Sequence, residues 1–340
     1  MQTVNRFLRW SSRVLPVSGA VILLYHRVAI VENDPQLLCV SPSNFVDHLE
    51  ILRRRFNPLR LESLRDLLAF KKWPPRSVVV TFDDGYADSL EQSKSLLEAA
   101  DVPATVFVVA GELDRKQEFW WDELERIFLT TSELPERLGL NINGQEYTWS
   151  LESSEKNHGS DPPWNVLSET EPTQRHKTYR ELVNLFRYVE SEARESLLEY
   201  LADWAGSDRV GRPAYRTLTS EELSLLEQDG LVEIGAHTMT HPLLAALPVA
   251  SQRAEIVNSK QRLEEVLQKP VTSFSYPFGG RQAYTIESVR LVSEAGFKCA
   301  CSNVAGVVRW GQDPYQLPCF LVRDWDGVEF AWRLETKFHS

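Results

Sequence analysis

Two polar clusters, far apart in the chain, each follow a short apolar run of the kind that forms a buried strand. The first is TFDDGY at 81–86, which follows SVVV at 77–80, and the second is HTMTHP at 237–242, which follows LVEIGA at 231–236. Because both clusters come directly after predicted strands, they are expected at the strand ends where α/β folds build their active sites. The chain is therefore predicted to be an α/β protein.

The residue types in these clusters are those of a metal site. His237 and His241, together with one carboxylate, can hold a divalent metal and leave positions open for water and substrate. Asp83 and Asp84 are adjacent carboxylates, so one can bind the metal while the other serves as a general base. This combination predicts a metal-dependent hydrolase.

Composition excludes one class of partner and leaves others open. The 340 residues suffice for one large α/β domain or two smaller ones. With 37 basic and 48 acidic residues the net charge is −11, so no basic excess exists to neutralise phosphates, and nucleic acid is not expected as a partner. The four cysteines match no zinc or redox spacing and are interpreted as reduced, mostly buried thiols, which favours a cytoplasmic location.

The N-terminal segment at 1–18 carries three arginines and no acidic residue. Such a segment is either a helix that leads into the first strand or a surface that makes peripheral contact with a membrane. The apolar run at 21–25 is too short for the core of a signal peptide. No apolar stretch approaches the roughly 18 residues of a membrane span. We therefore expect a cytoplasmic protein, with membrane association as the alternative.

A long interruption divides the strand and helix pattern. Residues from about 112 to 216 contain a hairpin pattern around Asn143 and Gly144, which suit a type I′ turn, and a long amphipathic stretch at 174–204. Strand and helix signals resume after it. We interpret residues 1–340 as a single catalytic domain with a largely helical insertion.

Three motifs together resemble one known family. TFDDG at 81–85, HTMTHP at 237–242 and YPFG at 276–279 occur in the order found in polysaccharide deacetylases, the carbohydrate esterases that act on chitooligosaccharides, peptidoglycan or exopolysaccharides. The likeness spans about residues 18–110 and 217–325. It implies a distorted (β/α) barrel of about seven strands, with the metal at the carboxyl ends of the strands.

The resemblance also implies a role for each matched residue. Asp83 corresponds to the catalytic base, while Asp84, His237 and His241 correspond to the metal ligands. The cofactor would be a divalent metal, with Zn²⁺ preferred and Co²⁺, Ni²⁺ or Fe²⁺ as alternatives. Such an ion lowers the pKa of its bound water, which would attack an acetyl carbonyl polarised by the metal.

The YPFG motif is implied to face the substrate, but it departs from the family pattern. The backbone N–H of Phe278 corresponds to the donor that stabilises the oxyanion, and Tyr276 and Pro277 precede it as substrate-side residues. The family commonly has an arginine two residues before the proline, where it orients the base. Ser275 occupies that position here, so the residue that orients Asp83 is left open.

The family's C-terminal Leu-x-His motif is also absent, and His26 is the predicted substitute for its general acid. The segment LYHRV at 24–28 resembles the N-terminal motif of the exopolysaccharide branch, in which the acid comes from the first strand. As an imidazolium it would protonate the leaving amine; the alternative is a structural histidine at a strand end. Asp324 is expected either to hold His26 or to line the site, beside Trp325.

For several other side chains, the sequence leaves open whether they have a functional role or only pack in the structure. Asp122 could reach the cleft, and four tryptophans could stack on sugar rings or simply pack in the core; these are Trp120, Trp121, Trp310 and Trp325. The remaining histidines have no partner pattern and are predicted on the solvated surface; these are His48, His158, His176 and His339.

These features favour a metal-dependent N-deacetylase of a glycan or glycan precursor, whose substrate is an N-acetylated polymer, oligomer or lipid-linked sugar. One alternative is a hydrolase of another C–N amide or of an O-acetyl ester on the same scaffold. A second is a catalytically impaired glycan-binding protein, which the missing arginine and C-terminal histidine favour. Retention of both aspartates and both histidines argues against the second.

Overall fold

The computed structural model describes residues 19–69, 73–151 and 164–339. The segment at 1–18, for which membrane contact is predicted, and His158 lie outside these ranges. None of the helices in the described ranges combines the length and the apolar character that a membrane crossing requires.

Twelve strands form within the described ranges, and seven of them build a central barrel. The strands are β1 (Ala20–Tyr25), β2 (Arg27–Val28), β3 (Cys39–Val40), β4 (Asn57–Pro58), β5 (Ser77–Phe82), β6 (Ala104–Val108), β7 (Arg137–Ile142), β8 (Gln145–Ser150), β9 (Val232–Ala236), β10 (Ser273–Ser275), β11 (Cys299–Ser302) and β12 (Leu317–Leu321). The barrel follows the order β1-β12-β11-β10-β9-β6-β5, and all its pairings are parallel.

The first strand closes the barrel. On β1, Ile22 is in register with Val79 of β5 on one side and with Cys319 of β12 on the other. All six residues of β1 and all six of β5 are buried, as expected for strands covered on both faces. The short strand β4 extends the edge of β5. The predicted (β/α) barrel of about seven strands is confirmed.

Ten α-helices occur in the described ranges, and their ends follow ordinary capping chemistry. They are α1 (Pro42–Arg55), α2 (Leu61–Leu67), α3 (Lys94–Ala100), α4 (Trp120–Glu125), α5 (Gln174–Phe186), α6 (Ser191–Ala205), α7 (Ser220–Glu227), α8 (Val249–Leu267), α9 (Ile286–Glu294) and α10 (Gly327–Lys337). Ser41 caps α1 through its side chain, and Thr219 and Glu222 form a capping box at α7. A π-helical turn, Ser89–Ser93, precedes α3, and another, Arg126–Thr130, follows α4.

The segment at 112–216 forms its own apolar core above the barrel. This core joins side chains of α4, α5, α6 and the β7-β8 hairpin to Tyr86 and Val109 of the barrel. At the hairpin turn Asn143 and Gly144 have φ values of 53° and 83°, which are the left-handed conformations that a type I′ turn requires.

Buried ion pairs accompany this apolar core. Glu118 lies 2.9 Å from Arg212, whose guanidinium is also 2.6 Å from Glu125. Glu123 lies 3.1 Å from Arg209. All three glutamates are buried. Because a buried charge is costly without a partner, these arginines hold the segment near 209–212 against α4 and the residues before it.

Two of the histidines predicted on the surface are buried instead. His48 is fully buried, stacks on Phe330 with ring centroids 3.9 Å apart, and donates from Nε2 to the carbonyl of Trp325 at 2.7 Å. His176 is buried with its ring 4.9 Å from that of Trp164. His48 shares the inward face of α1 with other apolar side chains, so helical periodicity decides its burial.

Candidate active site

The two polar clusters meet at the carboxyl ends of the barrel strands. The Nε2 atom of His237 lies 3.6 Å from Asp84 Oδ1 and 3.8 Å from Asp83 Oδ2. The Nε2 atom of His241 lies 3.5 Å from Asp84 Oδ1. Asp84, His237 and His241 each offer a ligand atom, and these atoms lie within 4.8 Å of one another. Residues about 150 positions apart in sequence thus form one cluster.

The backbone at this cluster is held in an uncommon conformation. Asp84, Thr238, His241 and Phe278 have φ values of 77°, 66°, 53° and 60°, in the left-handed region that non-glycine residues rarely adopt. Such residues persist only where the surroundings hold them, and they concentrate at functional sites. Here Thr238 Oγ1 accepts from the His241 N–H at 3.1 Å. Glu255 of α8 accepts from two further N–H groups of the same loop.

Each histidine presents a neutral ring to the cluster. His237 donates from Nδ1 to the carbonyl of Ser275 at 2.8 Å, which leaves the Nε2 lone pair directed toward the aspartates. Burial lowers the pKa of His237 to about 4, and the hydrogen bond to Ser275 only partly opposes it. Burial, and then the nearby His237 and Arg194, lower the pKa of His241 well below its ordinary value. Neutral imidazole is the form that binds metals.

Ser275 is the residue whose side chain contacts Asp83, the proposed base. Its hydroxyl donates to Asp83 Oδ2 at 3.1 Å, so a serine makes the contact at the position where the family commonly has an arginine. Asp83 Oδ1 is buried and has no hydrogen-bond partner among the described residues. Burial raises the pKa of Asp83 to about 8 against the opposing effect of the Ser275 hydrogen bond. Burial, and then the charge of Asp83, raise the pKa of Asp84 well above its usual range.

These observations fit a divalent metal. Burial raises the pKa of both adjacent carboxyl groups, and the neutral histidines supply no positive charge to favour their ionised forms; a bound cation would supply it. One carboxylate oxygen and two imidazole nitrogens form a donor set suited to Zn²⁺ and similar ions, with coordination positions left for water and substrate. The second carboxylate, with one free oxygen, can then accept a proton.

A cavity of about 300 Å³ opens over this cluster. The barrel side and its loops contribute Leu24, His26, Gln36, Leu38, Asp83, Asp84, His237, His241, Phe278, Asn303, Leu321 and Arg323 to its lining. The insertion contributes Trp120, Trp121, Val183 and Arg187. Nothing in the sequence pattern identified Gln36, Asn303, Arg187 or Arg323, because each lies in a loop or at an element end outside the motifs.

The YPFG motif divides between the cavity and the core. The ring of Phe278 lines the cavity with its centroid 4.7 Å from that of His241. Tyr276 is buried behind it, where its hydroxyl donates to the Tyr315 carbonyl at 3.0 Å and its ring stacks on Tyr284. Tyr276 and Pro277 are not among the described residues that line the cavity. Tyr276 is therefore a packing residue, which corrects its predicted place on the substrate side.

Asp324 and Trp325 also lie away from the cavity. Asp324 accepts from the backbone and the hydroxyl of Ser41, both at 2.8 Å, and from Asn44 at 2.7 Å. It therefore anchors the start of α1, and it is not among the described residues that line the cavity. Trp325 packs against Phe320 with ring centroids 5.7 Å apart. Local sequence could not reveal the contact with Ser41, because 283 positions separate the two residues.

The remaining tryptophan candidates and Asp122 occupy different positions relative to the cavity. Trp120 and Trp121 line the cavity, and Trp121 meets the ring of His241 edge-on at 4.9 Å. Trp121 donates to the Tyr86 hydroxyl at 2.8 Å, and that hydroxyl donates to Asp122 at 2.6 Å. Asp122 thus supports Trp121 from behind and is not among the described lining residues. Trp310 is about half exposed and also lies outside the lining.

His26 lines the cavity, as expected for a residue at the end of the first strand, but its ring is neutral where a cation was expected. It follows β1, lines the cavity and is half-buried. Burial, together with the neighbouring charges of Arg323 and His237, lowers its pKa to about 3. The imidazole is therefore neutral in this structure, in contrast to the imidazolium expected of a resting general acid.

A closed parallel barrel with polar side chains at the carboxyl ends of its strands is the architecture of many enzymes. A sequence profile described as polysaccharide deacetylase matches residues 71–134 and 187–300, slightly more than half of the chain. The protein belongs to the polysaccharide deacetylase family, whose members are hydrolases. The matched ranges leave out residues 135–186, which belong to the insertion.

Solved structures share the fold at low sequence identity. Deacetylase PplD of Streptococcus pyogenes, in complex with acetate, is 16% identical with a TM-score of 0.58, and the alignment covers 95% of this chain and 99% of PplD. IcaB of Ammonifex degensii is 18% identical with a TM-score of 0.59 over 95% and 97% of the two chains. A de-N-acetylase of Aggregatibacter actinomycetemcomitans is 14% identical with a TM-score of 0.55 over 93% and 99%. No curated protein matches the chain.

Proposed function

We propose that this protein is a metal-dependent deacetylase that removes acetyl groups from N-acetylated sugars of a glycan or glycan precursor. The observation that carries the proposal is the convergence of Asp84, His237 and His241 beside Asp83 in one cavity. The cavity volume, about 300 Å³, falls at the small end of the range for ligand sites. Family membership and the similarity to a de-N-acetylase fold support the same reaction.

Asp84 and the two histidines would hold the metal, with Zn²⁺ as the first choice and Co²⁺, Ni²⁺ or Fe²⁺ as alternatives. When bound, such an ion polarises a carbonyl and lowers the pKa of water. The Nδ1–H of His237 bonds to the Ser275 carbonyl, which fixes the ring and keeps Nε2 available as a ligand.

Asp83 is the proposed general base. Ser275 holds its Oδ2, while its Oδ1 has no described hydrogen-bond partner and can accept the proton of the attacking water. The N–H of Phe278, in the residue that lines the cavity beside His241, is the proposed donor to the acetyl oxygen as negative charge develops there.

His26 is the proposed general acid, although its ring is neutral before the reaction. The negative charge that develops on the acetyl oxygen favours the protonated imidazole, because an anion nearby raises a histidine pKa. The ring would take up a proton from solvent at that stage and donate it to the sugar nitrogen as the C–N bond breaks. Acetate and the free amine would be the products, and Asp83 would release the water proton to solvent.

Acetate release is the experiment that tests the proposal. Purified protein would be chelated and assayed on N-acetylglucosamine oligomers and on nucleotide- and lipid-linked N-acetyl sugars, before and after Zn²⁺, Co²⁺ or Ni²⁺ is restored. We expect release only with metal, loss of release in Asp83→Asn, and full release in Asp324→Asn, since Asp324 lies outside the cavity.

Each of the following results would contradict the proposal. Release by metal-free protein, or equal release by Asp83→Asn, would refute the assigned chemistry. Release of acetate only from O-acetyl esters, or cleavage of another amide, would establish the alternative hydrolase. Stoichiometric metal and sugar binding without release from any of these substrates would identify a glycan-binding protein.

A further inference from the structure

Two arginines that line the cavity have no acidic partner among the described residues. Arg187 follows α5 in the insertion, and Arg323 follows β12 in the barrel, so they come from different parts of the chain. Neither guanidinium forms an ion pair with a carboxylate in the part of the chain that the structure describes. Other arginines of the protein do pair: Arg27 lies 2.8 Å from Asp88, and Arg212 lies 2.9 Å from Glu118.

Arg187 is close to the metal cluster. Its guanidinium carbon is 5.1 Å from the centre of the Phe278 ring, which in turn lies 4.7 Å from the ring of His241. Its Nε is buried without a hydrogen-bond partner among the described residues. Burial lowers the pKa of Arg187, and only Tyr188 and Tyr179 oppose that effect. Its Nη nitrogens are not among the buried atoms and donate to no described residue, so they are available to an acceptor that enters the cavity.

Arg323 belongs to the barrel part of the lining, and hydrogen bonds hold its guanidinium in place. Its Nη1 donates to the carbonyls of Gln36, at 3.2 Å, and Leu37. Burial lowers the pKa of Arg323. The charge of Asp34 raises this pKa, but by less than burial lowers it. The Asp34 carboxylate already accepts from the N–H groups of residues 38 and 39 at 2.8 and 2.9 Å. The guanidinium is thus held in place by carbonyls and is not neutralised.

The charge of the cavity lining is positive once a metal is bound. Asp83 and Asp84 are the only acids among its described residues, and a divalent ion would balance both. Arg187 and Arg323 would then remain as two uncompensated positive charges, in a protein whose net charge is −11. A guanidinium binds carboxylate and phosphate oxygens with paired N–H donors, which makes it the side chain best suited to such groups.

We propose that Arg187 and Arg323 bind an anionic group, a carboxylate or a phosphate, on the sugar that this protein deacetylates. The inference rests on the proposed function, and it narrows the substrate class from acetylated sugars in general to acidic ones. Substrate selection is then shared between the barrel and the insertion, because each supplies one of the two arginines.

Direct binding to an inactive variant tests this assignment. Asp83→Asn protein, with and without Zn²⁺, would be titrated by calorimetry with three forms of N-acetylglucosamine: the neutral methyl glycoside, the 1-phosphate and the 6-uronate. We expect at least one anionic form to bind about tenfold or more tightly than the neutral one, as charge-assisted hydrogen bonds allow. The form preferred identifies the anion as phosphate or carboxylate.

Arginine variants in the same Asp83→Asn background supply the decisive comparison. Arg187→Gln and Arg323→Gln should each reduce the anion preference about tenfold, whereas Arg290→Gln, on the exposed surface of α9, should leave it unchanged. Equal binding of all three sugars would overturn the inference, and so would a preference that appears only with Zn²⁺ and survives both substitutions. In that last case the anion binds the metal alone.

Failure of this inference is separable from failure of the proposed function. Metal-dependent acetate release from neutral oligomers, with a kcat/KM equal to that on acidic sugars and unaffected by Arg187→Gln and Arg323→Gln, would sustain the function and refute the inference. An anion preference lost in both arginine variants, together with no release of acetate from any sugar, would sustain the binding site and refute the deacetylase.

Discussion

The barrel and the insertion meet at the same cavity but are stabilised in different ways. Barrel strands such as β1 and β5 bury every residue, and nearly all of those residues are apolar. The insertion buries Glu118, Glu123 and Glu125 against arginines. The barrel supplies Asp83, Asp84, His237 and His241 to the cavity, whereas the insertion supplies tryptophans and Arg187. Under the proposed function, the barrel would therefore carry the chemistry, and both parts would enclose the substrate.

Removal of a metal-site histidine should have the largest effect. His237→Ala deletes a proposed ligand from the barrel, so we expect acetate release to fall about a thousandfold, or about 4 kcal/mol, with loss of the bound metal. His339→Ala, at an exposed position, is the matched control and should keep both. If His237→Ala retained metal and activity, the chemistry could not be assigned to the barrel cluster.

The stability of the insertion should depend on the arginines that pair with its buried glutamates. Arg212→Met removes the nearest guanidinium from the buried Glu118 and Glu125 and leaves Glu118 only the more distant Arg126, so we expect the free energy of unfolding to fall by about 3 kcal/mol. Denaturant titration followed by circular dichroism measures this change. Arg290→Met, at an exposed position, should change it by less than about 0.5 kcal/mol. Similar small effects for both would remove the contrast between the two regions.

A smaller effect tests how the barrel positions its base. Ser275→Ala removes the hydroxyl that donates to Asp83, so we expect kcat to fall about tenfold while metal stoichiometry and KM stay unchanged. Ser259→Ala is the matched control, because that buried hydroxyl donates to a carbonyl within α8. An unchanged kcat in Ser275→Ala would show that another residue orients the base.

The smallest expected effect is the contribution of the buried, neutral His48 to the pH dependence of stability. Burial lowers the pKa of His48 from its ordinary 6.5 to about 4, so the unfolded chain binds the proton more tightly than the folded protein does. Stability therefore falls as the pH drops from 6.5 toward 4, by about 1 kcal/mol between pH 7 and 5.5 from this group.

The pH slope is measured by the difference between the protein and His48→Phe. That variant cannot bond to Trp325 or Tyr25 and is expected to be less stable at every pH, but it lacks the His48 contribution to the slope. Identical slopes for the two proteins would contradict burial of a neutral imidazole at this position.

The sequence predicts the barrel better than the insertion, and the reason is physical. Apolar runs followed by TFDDGY and HTMTHP define both a strand and its polar end, so local pattern alone placed Asp83 and His237 together. The role of Ser275 could not be predicted, because its contact with Asp83 joins strands nearly 200 positions apart. The error at His48 was avoidable, since Phe45, Leu49 and Leu52 define the same buried face of α1.

The insertion lacks such patterns, so the structure was needed to decide which of its candidate residues reach the site. Its tryptophans were candidates for stacking, but their composition does not distinguish cavity from core. Trp121 packs in the insertion core and also lines the cavity, whereas Trp149 packs in that core and is not among the described lining residues. Arg187 lies just after α5, outside any motif. Its position in the cavity depends on how the insertion packs over the barrel, which no local signal encodes.

Anomalous diffraction from crystals soaked in Zn²⁺ tests the central claim most directly, because it locates the metal without reference to activity. We predict one strong peak at the zinc edge, within about 2.0–2.2 Å of a carboxylate oxygen of Asp84 and of Nε2 of His237 and His241. A peak bound elsewhere, or no peak at this cluster in crystals of protein that deacetylates sugars, would contradict the account.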